Sequence, residues 1–356
     1  MFDFIDKVII PYISGLYTLP WIIIGFIVTG ILERFIDRSR IDNTMRKVGL
    51  VLLYFFIPVL IFRIFLNTSF GLNEMILVVI VVGVITLMYL IAYVYALFTS
   101  RRMSYSDSKR RIYIKTMLTN QGRSSAFIGS MMLAVSEFRV PAAIFMALVG
   151  IGLFAVIPYI LSYMHRKEVS VSNDYKSGLS VFPWYLRLYP WYLIIFVILG
   201  VVLHMLTGFT SKDLGYEADV ALRFYTAVTI PAALYYVGAG IHPSDFKKSE
   251  MLKLMGLSRG EEDDHWSWVR SIFVLTVFIT PAVMVSLFLV LFYLSFIPLP
   301  WFAVTTVNIF LPVTSTNMFL VPYGIDKRVT AHVVTWTTLI CVPVVISLII
   351  FFSSLL

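Results

Sequence analysis

Residues 115–133 read KTMLTNQGRSSAFIGSMML, and residues 308–322 read NIFLPVTSTNMFLVP. Each sets a run of small polar side chains in the middle of a stretch otherwise apolar enough for a membrane. The first run is Thr119, Asn120, Gln121, Gly122, Arg123, Ser124 and Ser125; the second is Pro312, Thr314, Ser315, Thr316 and Asn317. Each also carries a helix breaker. Proline removes a backbone donor and clashes with the preceding turn, and glycine weakens a helix by its conformational freedom. Freed backbone groups are tolerated at membrane depth only where they are buried in protein or line a cavity. Both stretches are therefore expected inside a helical bundle. If they break and cross near the midplane, their half-helix N-termini direct partial positive charge at a common point, as in the binding sites of secondary transporters. The plain alternative is that Ser, Thr and Asn only glue helices together. Two matched clusters, each with a breaker, favour a site.

Working outward, the whole chain has membrane composition. Of 356 residues, 59% are hydrophobic and 13% charged, against about 25% charged in an average soluble domain; the mean hydropathy is +0.88. This excludes a cytosolic enzyme, a disordered protein and a secreted disulfide scaffold. A spanning helix takes about 20 residues, and we read ten spans: 13–32, 48–66, 75–98, 112–135, 138–163, 188–209, 221–241, 270–297, 301–321 and 329–352. They leave no room for a separate soluble domain. The first segment does not read as a cleavable signal, since Asp3 and Asp6 stand where a basic cluster belongs. The one cysteine, Cys341, forms no internal disulfide and gives no metal or redox reading.

The net charge of +8 raises the question of nucleic acid, and its placement answers it. Basic residues alternate from loop to loop. One side holds Arg34, Arg38, Arg40, Arg46 and Lys47, then Arg101, Arg102, Lys109, Arg110, Arg111 and Lys115. It continues with Arg166, Lys167, Lys176 and Arg187, then Lys247, Lys248, Lys253, Arg259 and Arg270, then Lys327 and Arg328. That is 22 of the 28 basic residues; the other side holds Lys7, Arg139, Lys212 and Arg223. The positive-inside rule puts the larger set in the cytoplasm of a cell membrane and both termini outside. The loop 242–269, with its acidic run Glu261-Glu262-Asp263-Asp264, reads as a solvated cytoplasmic loop. The expected partner is the lipid bilayer, not nucleic acid.

Ten spans divide into halves of five, which are necessarily inverted. The halves are 1–163 and 188–356, joined by a cytoplasmic linker 164–187. Glu137-Phe138-Arg139-Val140-Pro141-Ala142 and Asp326-Lys327-Arg328-Val329-Thr330-Ala331 share an acid followed by Arg-Val-x-Ala at an offset of 189 residues. Ile57-Pro58 and Ile230-Pro231 recur at an offset of 173. The two polar stretches fall in the corresponding fourth and ninth spans.

No Asp or Glu is expected within any span, and two arginines are. Arg63 lies near the external end of span 2, where it can snorkel. Arg123 lies near the centre of span 4 and needs carbonyls, water, an anionic ligand or a loop acid such as Glu137. Intramembrane ionisable groups are costly and usually functional, and a guanidinium fork suits a carboxylate. The expected substrate is a small organic anion. The substrate-binding candidates are Asn120, Gln121, Arg123, Ser124, Ser125, Pro312, Thr314, Ser315, Thr316 and Asn317, with Pro58, Arg63, Tyr236 and His332 secondary. No metal or cofactor is expected. Sodium is conceivable through hydroxyls and carbonyls, but no intramembrane carboxylate supports it. Anion efflux from an inside-negative cell gains about 2.3 kcal/mol per 100 mV without any coupled ion.

These residues resemble the auxin efflux carrier family of permeases, which includes plant auxin carriers and bacterial malate or malonate permeases. The most specific part is LPVTSTNMFLVPYGIDKRVTAHVVTWTTLICVP, residues 311–343, in which Pro312, Asn317, Tyr323, Gly324, Asp326 and Thr337-Thr338 fill the family's places. Asn120 with Gly122 and Gly129 is similar to its broken fourth helix. Ile57 to Phe62, and Pro231 with Gly238-Ala239-Gly240, are similar to its second and seventh. The resemblance implies an all-α polytopic fold of ten helices in two inverted five-helix repeats, helices 4 and 9 broken and crossing, with a scaffold and a transport domain. It implies elevator-like transport of organic anions by a homodimer, with Asn120, Pro312 and Asn317 touching substrate. Arg123 departs from the family's small or apolar residue and marks a more anionic ligand. The short linker after span 5 is similar to prokaryotic members.

Two other readings are a sodium- or proton-coupled organic-acid symporter of the bile-acid type and, in a different class, a non-transporting membrane sensor. An enzyme is not expected: there is no Ser/His/Asp constellation, no HExxH pair and no phosphate-binding glycine loop.

Overall fold

The computed structural model of the chain describes residues 1–13, 18, 20–169, 184–241, 248–257 and 264–356. Most of the linker 164–187 and the acidic residues 261–263 lie outside them. Among the described residues all regular structure is helical except one two-residue bridge. After a helical segment 2–13 (α1) come α2 (Pro20–Leu32), α3 (Ser39–Leu66), α4 (Leu72–Arg102), α5 (Asp107–Thr119) and α6 (Ser136–Met164). They are followed by α7 (Arg187–Thr207), α8 (Tyr216–Ala239), the short α9 (Lys248–Leu254), α10 (His265–Tyr293), α11 (Leu299–Phe310) and α12 (Lys327–Ser353). Two 3-10 segments, Gly129–Ala134 and Ser315–Tyr323, stand after α5 and α11.

Seven helices (α3, α4, α6, α7, α8, α10 and α12) are long and apolar enough to cross a bilayer. The remaining expected spans hold the shorter α2 and two helices that stop halfway, α5 and α11. Several boundaries differ from expectation. Residues 38–47, read as a loop, are helical and continue into α3; Arg, Lys and Met favour helix, and extending a helix is cheaper than starting one. Helix α8 begins at Tyr216, not at 221, which brings Asp219 inside it at 7% exposure. The expectation that no acid lies within a span therefore fails. Asp219 is tolerated there because Arg223 Nε, one turn on, donates to it at 2.9 Å, while Arg223 Nη1 reaches Asp6 at 2.6 Å.

Helices α2, α3, α7 and α8 pack on one another, and α4, α5, α10, α11 and α12 form a second group; α6 touches both. Close crossings in the first group rest on glycine. A Cβ on Gly238 would overlap the Ile22 carbonyl, and one on Gly25 would overlap the Tyr235 carbonyl, so only glycine lets α2 and α8 meet this closely. Thr29 Oγ1 then donates to Ala239 O across the same seam at 3.1 Å.

Three of the seven long helices carry a π turn, Leu52–Phe56 in α3, Gly152–Val156 in α6 and Leu275–Ile279 in α10. In each, the first carbonyl accepts the N–H five residues on, and the residue after that is proline: Pro58, Pro158 and Pro281. Proline has no N–H, so the second carbonyl of each turn loses its partner in this register. Pro58, a secondary candidate, is thus a buried residue that shapes α3. Among the described residues no hydrogen bond ties it to the two breaks.

Candidate functional site at the two helix breaks

Helix α5 stops at Thr119 because Asn120 and Gly122 are poor helix formers. Its last turn tightens, with Gln121 N donating to Leu118 O at 3.1 Å and Gly122 N to Thr119 O at 3.2 Å. Helix α11 stops at Phe310 because Pro312 pushes the residue before it out of the helical region; Leu311 adopts φ −57°, ψ 143°. Both chains then run extended and pair. Arg123 and Val313 form an antiparallel bridge, with Ser124 N donating to Pro312 O at 3.0 Å and Thr314 N to Gly122 O at 2.9 Å. The N–H of Val313 is satisfied by Thr337 Oγ1 of α12 at 3.2 Å. Backbone groups freed by the breaks therefore find partners inside the protein, as membrane depth demands.

All ten primary candidates gather around this bridge, and every one except the half-buried Ser315 is buried. Ser125 Oγ donates to Asn308 Oδ1 at 2.7 Å, tying the first break to α11, and Asn308 Nδ2 donates to Val304 O at 2.9 Å. Asn120 Nδ2 donates to Thr116 O at 2.8 Å and to Thr330 Oγ1 at 3.2 Å, tying it to α12. Thr314 and Thr316 share a hydroxyl hydrogen bond at 2.9 Å. Ser315 Oγ donates to the Tyr236 hydroxyl at 3.2 Å, and the Tyr236 ring lies 4.8 Å from that of Phe127. Tyr236 thus joins the site from α8.

Asn317 packs against the bridge: a Cβ on Gly122 would come within 2.5 Å of its Oδ1. Glycine at 122 is the space the Asn317 carboxamide occupies. Asn317 Oδ1 and Nδ2, Gln121 Oε1 and Nε2, and Asn120 Oδ1 are all buried without a hydrogen-bond partner among the described residues. Thr119 Oγ1, Thr305 Oγ1 and Thr306 Oγ1 share that condition.

Arg123 is 4% exposed and faces carbonyls rather than an acid. Its Nη1 donates to Leu311 O at 3.2 Å and its Nη2 to Thr276 O at 3.4 Å. Glu137 takes no part; it is exposed and accepts from Ser136 Oγ at 2.6 Å. The long half-helices α5 and α11 turn their C-terminal ends toward the bridge, so the macrodipoles bring partial negative charge there. Only the 3-10 segment from Ser315 presents an N-terminus directly after it. This differs from the expected pair of helical N-termini, because the chain beyond each break winds as turn and 3-10 helix.

Two secondary candidates lie elsewhere. His332 points away from the breaks: its ring sits 5.0 Å from His265 and 5.1 Å from Trp266, and its Nε2 lies 3.9 Å from Glu250. Arg63 does not snorkel; its Nη1 donates to Thr226 Oγ1 on α8 at 2.6 Å. Lys115, counted with the cytoplasmic charges from sequence, is instead 1% exposed, and its Nζ donates to Tyr323 O at 3.1 Å. Its apolar flanks, Tyr113-Ile114 and Met117-Leu118, were the available signal. Asn308, Thr330 and Thr276 carried none, since their role depends on what crosses them.

Compared with known proteins, the chain matches no family model and no curated protein.

Proposed function

We propose that the chain is a secondary transporter of small organic anions, working by elevator-like alternating access, with the paired breaks as its substrate site. The observation that carries this reading is the set of five buried carboxamide atoms without partners, on Asn120, Gln121 and Asn317. An unmet buried polar group costs about 1–3 kcal/mol, and such groups in a folded protein call for water or a ligand. Carboxamide N–H groups donate to a carboxylate. Arg123 adds a positive charge that no carboxylate neutralises among the described residues, which favours an anion over a neutral ligand or a cation.

The wider architecture supports the same reading. The bridge is two-fold in form: exchanging 122–124 with 312–314, an offset of 190 residues, exchanges its two hydrogen bonds. That offset is within one residue of the 189 of the Arg-Val-x-Ala pair. We take α5 and α11, each with its 3-10 continuation, as helices 4 and 9 of inverted five-helix repeats that cross here. The helices α2, α3, α7 and α8 then form the scaffold, and the rest the moving part. The resemblance to auxin efflux carriers, cytoplasmic basic loops, external termini and a homodimer belong to the same proposal.

The test is a thermal-shift screen of organic acids on purified protein, followed by counterflow in proteoliposomes. An acid that stabilises the wild type but not Asn317→Ala or Gln121→Ala, and that exchanges across the membrane, is the expected result. Equal stabilisation of all three proteins overturns the site, and binding without exchange overturns transport.

A further inference from the structure

We infer that Arg123 is a resident cation: its guanidinium holds the carbonyl cradle that a coupling sodium ion would otherwise hold, so the carrier runs without sodium. This deepens the transport reading and rests on it for the word carrier, though not for the cradle itself.

Two prolines, Pro281 and Pro312, leave the cradle open. In the π turn of α10, Thr280 N donates to Leu275 O. The next carbonyl, Thr276 O, would accept from residue 281, which is proline and has no N–H. The missing donor is Arg123 Nη2, at 3.4 Å. Leu311 O, in the extended residue that ends α11 before Pro312, takes Arg123 Nη1 at 3.2 Å. One guanidinium thus satisfies two carbonyls from separate elements, at the point where the C-terminal ends of α5 and α11 converge. Unwound carbonyls and half-helix C-terminal ends are the groups that coordinate Na⁺ in broken-helix transporters. Here a side chain of the protein supplies the positive charge permanently. The Nε of Arg123 remains buried without a partner, so the guanidinium keeps donor capacity for an anion or a water.

A fixed cation also decides which step feels the membrane potential. With a monovalent anion bound, the site crosses neutral; empty, it returns carrying +1. In an inside-negative cell the inward return is the favoured direction, by about 2.3 kcal/mol per 100 mV.

The test compares wild type, Arg123→Ala and Arg123→Lys by melting temperature in detergent. Buffers of equal ionic strength contain choline, sodium or guanidinium at sub-denaturing concentration. We expect the wild type to melt alike in choline and sodium. Arg123→Ala should melt lower in choline and regain most of the loss in guanidinium or sodium, and Arg123→Lys should fall between without such rescue. A wild type stabilised by sodium over choline, or an Arg123→Ala protein that neither cation rescues, overturns the inference. Should Arg123→Ala fail to fold, the wild-type comparison and the absence of rescue in Arg123→Lys still decide it. The melting measurements need no substrate, so their failure is separate from failure of the transport reading.

Discussion

Asn308 and Asn317 lie nine residues apart, both buried, and the structure assigns them opposite energetic signs. Both polar groups of Asn308 are engaged, one by Ser125 and one by Val304; neither group of Asn317 is. Replacing a satisfied group strands its partner, whereas replacing an unsatisfied one removes a desolvation cost. Asn308→Leu is therefore expected to destabilise the protein by about 1–3 kcal/mol. Asn317→Leu, similar in shape, is expected to leave the ligand-free protein as stable as before or more so, while abolishing stabilisation by the organic acid. Denaturation of both variants with and without ligand checks the pair; a loss of ligand-free stability in Asn317→Leu speaks for a purely structural asparagine. At this scale the sequence made Asn120 and Asn317 legible because each belongs to a polar cluster that carries a breaker. It gave no sign that Asn308, in the apolar half-helix α11, clamps the other break.

At the level of the element, two contrasts are informative. Gly238 faces the backbone of α2 at the Ile22 carbonyl, while Gly83 on α4 has nothing within 4 Å of where a Cβ would stand. Gly238→Ala is expected to cost about 1–3 kcal/mol through overpacking that no side-chain rotation relieves. Gly83→Ala is expected to be neutral or to stabilise by up to about 1 kcal/mol through helix propensity. Melting of the two single variants checks this; equal effects would refute the close α2–α8 seam. The π turn supplies the second contrast. Pro281→Ala restores an N–H within reach of Thr276 O, so Arg123→Ala should cost less in that background than in the wild type. A double-mutant cycle measures the coupling directly, and additive effects would count against the shared carbonyl. The prolines were plain in the sequence, but only a helix already in place tells which carbonyl each leaves without a donor.

For the whole molecule, orientation and voltage dependence are the properties to measure. The native Cys341 is 2% exposed, so it leaves a quiet background for cysteine labelling. A cysteine at Lys212 should react with an impermeant maleimide in intact cells, and one at Lys109 only after permeabilisation. The reverse pattern would invert the topology read from the basic residues. If the fixed charge of Arg123 travels with a monovalent anion, counterflow, which is loaded both ways, should be insensitive to an imposed potential. Net efflux should accelerate as the inside becomes negative. Voltage-sensitive counterflow would mean that the loaded site carries charge.

Hydropathy, breakers and loop charge are local properties, and they sufficed for an all-helical protein with long apolar helices and for the position of two interruptions. They misplaced Lys115 and Asp219, because burial of a charge depends on a neighbour that sequence distance hides: a carbonyl from Tyr323 in one case, and in the other Asp6, which holds the Arg223 that pairs with Asp219. They nominated Arg123 but left its partner open among carbonyls, water, a ligand and Glu137. The tertiary structure chose the carbonyls of Thr276 and Leu311, 153 and 188 residues away along the chain. A buried cation is held by whatever acceptors the fold leaves unmet, and which acceptors are unmet is known only once every helix has been placed.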